Sequence, residues 1–141
     1  MSERSMSQVI TDAVKEFRSA VPECVAAGVV DMSTGMILAL DTLDSHPAEV
    51  IDLVAAATFD LFQGRNVLTI ENIFKQSRGV SSNRHYFEEI LVNSSNLIHL
   101  FMRSSTNSDI VAVVVARRAV NLGMLFAQAR IVMKGLNSGV A

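Results

Sequence analysis

Apolar residues recur at three- and four-residue spacing near the start of the chain. Val9, Ile10, Ala13, Val14 and Phe17 share one side, and Gln8, Asp12, Lys15, Glu16 and Arg18 take the other. That period predicts an amphipathic helix over 5–21, stopped by Pro22. Two apolar runs follow, 25–31 and 36–40, around a short segment carrying Ser33, Thr34 and Gly35. They predict a β-hairpin in which Asp31 and Ser33 bond the turn backbone and Gly35 takes positive φ at a bulge. Asp44, Ser45, His46 and Pro47 are cap-type residues followed by a first-turn proline, so a second helix is expected from there to about Gln63. Its apolar arc is wide. Val50, Leu53, Val54, Ala57 and Leu61 form one stripe, and Ile51, Ala55, Thr58 and Phe62 broaden it. One sheet face needs an arc of only ~100°, so a second surface is expected to cover the rest.

Beyond Gly64 the pattern loosens. Residues 67–77 either continue the helix or form a second short one, with Ile70, Ile73 and Phe74 as the apolar side, and 78–84 read as a loop. Three strand candidates come next: 86–93, 97–103 and 110–116, separated by Asn- and Ser-rich turns. The last has no polar alternation, which predicts a central strand covered on both faces. Glu88 and Glu89 mark the first as nearer an edge. A closing helix is expected over 119–136. It has one stripe of Leu122, Leu125, Phe126, Ala129, Val132, Met133 and Leu136, and a second of Val120, Met124, Ala127 and Ile131. Two stripes predict two contacts, the sheet and the first helix, with Asn137, Ser138 and Gly139 as a fraying end. The order α-β-β-α-β-β-β-α, with an antiparallel meander, predicts an α+β domain with helices on both faces of one sheet.

Composition narrows what such a domain can be. At 141 residues and 15.3 kDa the chain suits a single domain, and 50% hydrophobic against 18% charged residues argues against disorder. A net charge of −2 favours neither nucleic acid nor anionic membrane. The one cysteine, Cys24, permits no internal disulfide and points to a reducing compartment, so cytoplasmic residence is expected. The opening Met1, Ser2, Glu3 and Arg4 read as no secretory leader, and the apolar run 110–116 is too short to span a bilayer. A mean hydropathy of +0.34 is high for so small a chain, and a buried partner face accounts for it.

Candidate chemistry is sparse. No glycine-rich phosphate loop is present, and the three histidines, His46, His85 and His99, fall in different elements at no ligand spacing, so neither cofactor nor metal is expected. Cys24 reads as a small buried apolar residue rather than a nucleophile. Arg78 and Arg84 flank the loop; a mobile arginine can stabilise phosphoryl-transfer charge, but two solvated charges explain them as well. Arg117 and Arg118 mark a strand end, since no aromatic residue interleaves with them. No convergent acid, base or nucleophile set is visible, so no enzyme is expected.

Val29-Val-Asp-Met-Ser-Thr-Gly-Met-Ile-Leu-Ala, followed by an apolar helix, a three-strand meander and a closing helix, resembles the roadblock/dynein light-chain family over roughly residues 8–136 of a single domain spanning 1–141. The resemblance implies a profilin-like, five-stranded antiparallel sheet of order 2-1-5-4-3, with the second helix on one face and the terminal helices on the other. It also implies a homodimer that joins third strands edge to edge and sets second helices side by side. Leu53, Phe59, Phe62, Tyr86, Phe87, Glu89 and Leu91 would line that interface. Family members serve Ras-like small GTPases as scaffolds or activating factors, so the implied role is a non-catalytic GTPase regulator without cofactors. The alternative is a small-molecule-sensing α/β domain of similar topology, with a pocket between sheet and helix.

Overall fold

The computed structural model describes residues 4–43, 48–79, 85 and 87–141, with only the backbone of 48–53 and 55. The elements are α1 (Met6–Ala20), β1 (Cys24–Asp31), β2 (Met36–Thr42), α2 (Ala48–Gln63), α3 (Arg65–Arg78), β3 (Glu89–Asn93), β4 (Leu97–Arg103), β5 (Ile110–Arg117) and α4 (Leu122–Val140). The strands form one antiparallel sheet of order β2-β1-β5-β4-β3. β5 is central, as its unbroken apolar run requires, and β2 and β3 are the rims. Among the described residues, no helix is long and apolar enough to cross a membrane.

Local chemistry explains the elements that read clearly. Ser5 caps α1 by accepting the Gln8 amide proton at 3.1 Å. In the hairpin turn the Asp31 carboxylate accepts from the Ser33 amide at 2.9 Å and the Ser33 hydroxyl at 2.7 Å. Burial pushes that carboxyl up, but the Ser33 hydrogen bonds outweigh it and hold the group below its ordinary value. Gly35 has φ +72°, as expected, and its amide donates to the Asp31 carbonyl. The bulge lies elsewhere: Val29 pairs with Ala39 and Val30 with Ile37, so Leu38 is the extra residue.

Two hydrophobic clusters lie on the two sides of the sheet. The larger joins α1 and α4 to inward residues such as Ala27, Val29, Leu100, Ala112 and Val114. Cys24 belongs to it, and burial pushes its thiol up, as befits an inert core residue. The smaller gathers Val30, Met32, Phe62, Phe101, Val111 and Val113 under α2.

Of the two readings open for 67–77, the structure has the separate helix, over 65–78. Gly64 makes the corner, since a Cβ there would lie 2.5 Å from the Asp60 carbonyl oxygen. β3 begins at Glu89 instead of 86, because Phe87 packs inward against the α2-side cluster. The expected frayed end is instead helical through Val140. The Asn137 side chain accepts from the Ser105 amide, its carbonyl accepts from the Thr106 hydroxyl, and the Asn107 amide group donates to the Val140 carbonyl. Gly139 sits there against α1, where a Cβ would come 2.2 Å from a Val9 methyl carbon. α4 meets both the sheet and α1, as expected, but Met124 and Ile131 of its second stripe take no part and are about half exposed, at 48% and 55%. The expected helix start at 44–47 and most of the 78–84 loop, Arg84 included, lie outside the described residues.

Candidate interaction surface

The side chains expected at an interface are sorted by strand and helix geometry between the two faces of the sheet. Phe62 is fully buried, in an edge-to-face contact with Phe101 at 6.4 Å between ring centres. Its ring also lies 5.0 Å beneath the Arg103 guanidinium, which donates to the Phe62 carbonyl at 3.2 Å. Phe62 therefore belongs to the protomer's own core and has no surface to offer a partner. Phe59 and Phe87 are half-buried against the same cluster. An acidic substitution at Phe59 would damage the fold as well as any contact beyond it. Leu53's side chain and Tyr86 lie outside the described residues.

Glu89 and Leu91 fall on the opposite face. β3 pairs Glu89 with Met102 and Leu91 with Leu100, both residues of the α1/α4 cluster. Strand alternation puts Ile90 and Val92 on the α2 side. Glu89 is held by Arg130 of α4 through two hydrogen bonds, of 3.0 and 2.7 Å. The expected interface residues thus straddle the β3 rim, whose outer edge carries no strand among the described residues.

α3 is amphipathic in an unexpected sense. Its one buried residue is Glu71, 2% exposed, whose carboxylate lies 3.0 Å from the His85 ring. Arg103 faces the same interior. Burial lowers its pKa, and the Glu71 and Asp109 carboxylates partly counter that. A buried carboxylate needs a counter-charge, and Arg103 supplies it, while the His85 ring lies within hydrogen-bond distance. The consequence is that Leu68, Ile70, Ile73 and Phe74 point outward, with Ile73 57% exposed. Val54 on α2 and Leu91 and Val92 on β3 add to this apolar exposure. The sequence shows the apolar spacing on α3 but not its direction, because the residue that turns the helix around, Arg103, comes from β4.

The remaining candidates are placed without convergence. Arg117 is 3.6 Å from Glu23, and Arg118 donates to the Ser95 carbonyl. Among the described residues no three His, Cys, Asp or Glu side chains gather as metal ligands would.

No protein-family model and no curated protein matches the sequence. The fold, however, has solved counterparts. A structure described as MglB with tetrameric arrangement superposes with a TM-score of 0.69 at 13% identity, covering 98% of this chain and 92% of that one. The gliding protein MglB of Thermus thermophilus gives 0.65 at 12% identity, covering 98% and 93%. A Roadblock/LC7 domain from Streptomyces avermitilis gives 0.63 at 16% identity, covering 97% and 98%. With this strand order and these layers, the chain has the Roadblock/LC7 fold that MglB also has.

Proposed function

We propose that this chain is a non-catalytic homodimeric interaction module that regulates a Ras-like small GTPase, as scaffold or activator-type factor. One observation carries the reading: a β3 rim that pairs outward with no strand among the described residues accompanies a helix that buries its carboxylate and turns its isoleucines outward. An unpaired strand edge next to apolar surface is a self-complementary interface that a two-fold axis can close. The role at a GTPase follows from the resemblance to roadblock proteins. Any effect on hydrolysis would come from positioning the GTPase's own switch residues.

The test has two stages. Light scattering of the purified chain is expected to give about twice 15.3 kDa, and the double variant Ile73→Asp, Leu91→Lys should give the monomer mass with an unchanged circular dichroism spectrum. The dimer is then titrated with a Ras-like GTPase from the same genome, loaded with GDP or with a non-hydrolysable GTP analogue. Tighter binding of the triphosphate form is expected. A monomeric wild type, or equal and negligible binding of both forms, overturns the proposal.

A further inference from the structure

On the α2 side of the sheet a cleft of about 570 Å³ opens at the end where β1 begins and β5 ends. Its shape follows from the register. Ala26 lies between Thr42 of β2 and Val115 of β5, and Gly28 lies between Leu40 and Val113. Directly paired residues share a face, so β1 contributes a methyl group and a hydrogen where its neighbours contribute branched side chains. The result is a trough one strand wide, floored by Ala26 and Gly28 and walled by β2 and β5. Val30, between Ile37 and Val111, closes the inner end, and Val54 of α2 lies over the trough. At ~3.3 Å per residue, the run from Arg117 to Val111 is roughly 20 Å. The walls are two strand spacings apart, ~10 Å between backbones. An α-helix with side chains is itself ~10–12 Å across, so the trough is too narrow for a helix and wide enough for one extended alkyl chain.

Among the described lining residues the polar side chains lie in the outer half, with Asn96 and Arg117 at the mouth and His99 and Thr42 in the row of Ala26, and none is a carboxylate. Arg117 is more than half exposed, and its contact with Glu23 is a loose 3.6 Å. Its charge is available to an anion at the mouth at the cost of one weak surface pair. A site of this volume, apolar in its depth with a few convergent polar groups at one end, has the build of a small-molecule site.

We infer that the β1 trough binds a medium-chain fatty acid, its alkyl chain lying over Ala26 and Gly28 and its carboxylate at Arg117. The inference is independent of the GTPase reading, since it uses neither the β3 rim nor α3.

Calorimetric titration of the full chain with octanoate, decanoate and dodecanoate tests it. Affinity should rise with length, by roughly fourfold per methylene. Ala26→Phe, which raises the floor, should weaken dodecanoate at least tenfold; should that variant fail to fold, Val115→Phe obstructs the same trough from its wall. Arg117→Gln should weaken dodecanoate while leaving dodecanol unchanged. The monomeric Ile73→Asp, Leu91→Lys variant should still bind, which separates failure here from failure of the dimer. Three results overturn the inference: no saturable binding of any of the acids, binding indifferent to both trough variants, or dodecanol binding as tightly as dodecanoate. Were a second copy the true occupant, Ala26→Phe would lower the solution mass and dodecanoate would not bind, which also overturns it.

Discussion

The two faces of the sheet use glycine in opposite ways. On the α1/α4 face, Gly139 lets two helices touch: a methyl group there would run into Val9, so its absence is what permits contact. On the α2 face, Gly28 and Ala26 lower the floor of β1 and leave a cleft above it. The first face is a closed interior in which Phe17, Leu125, Ala129 and Val114 have no measurable exposure. The second has a small cluster around Phe62, an unfilled trough, and a helix with its isoleucines outward. Close burial on one side and incomplete coverage on the other set the two faces apart. Stability resides with α1 and α4, and the contacts proposed above lie on β1, α3 and the β3 rim.

Mutations should separate the faces. Phe17→Ala removes the most from the closed side and is expected to cost about 3–5 kcal/mol in a denaturant titration; a loss below about 1 kcal/mol would mean that face is not the stabilising one. Gly139→Ala should cost about 1–3 kcal/mol by the same measurement, because Val9 or the helix must shift to admit the methyl group. On the open side, Ile73→Asp should change the unfolding free energy of the monomer, measured at concentrations too low for association, by no more than ~0.5 kcal/mol. A large loss there would show that α3 packs more tightly than its exposure implies. The smallest effect concerns His99, whose imidazole burial holds below the usual histidine range. The folded chain then takes up fewer protons than the unfolded one, so stability is full above the unfolded value of ~6.5 and declines as pH falls toward the lowered one. His99→Gln should flatten that decline in unfolding midpoints measured from neutral to mildly acidic pH.

Much of the architecture is legible from spacing. α1, β4 and β5 fall within a residue or so of where periodicity puts them, and the hairpin turn works through Asp31, Ser33 and Gly35 as their chemistry demands. The centrality of β5 follows from its composition alone. The surroundings of the residues expected at an interface were less legible. Phe62 has the same character in the sequence as Phe59, yet only one of them retains surface. The cause is Phe101 and Arg103, about forty positions away, which close over Phe62. Glu89 marks a rim, as expected of a charge on an edge strand, but its partner Arg130 becomes apparent only when α4 is laid across the sheet.

The amino-acid order by itself determined which side chains share a side of each element, since the periods of helix and strand are local and need no neighbour. It also determined the succession of elements and, through the apolar run of β5, which strand lies in the middle. Only the tertiary structure decided which of those sides are covered. The outward stripe of α4, the inverted α3, the docked Val140 end and the trough over Ala26 and Gly28 all depend on groups distant in sequence. Burial is a property of pairs of surfaces, and one surface of each pair lies elsewhere in the chain.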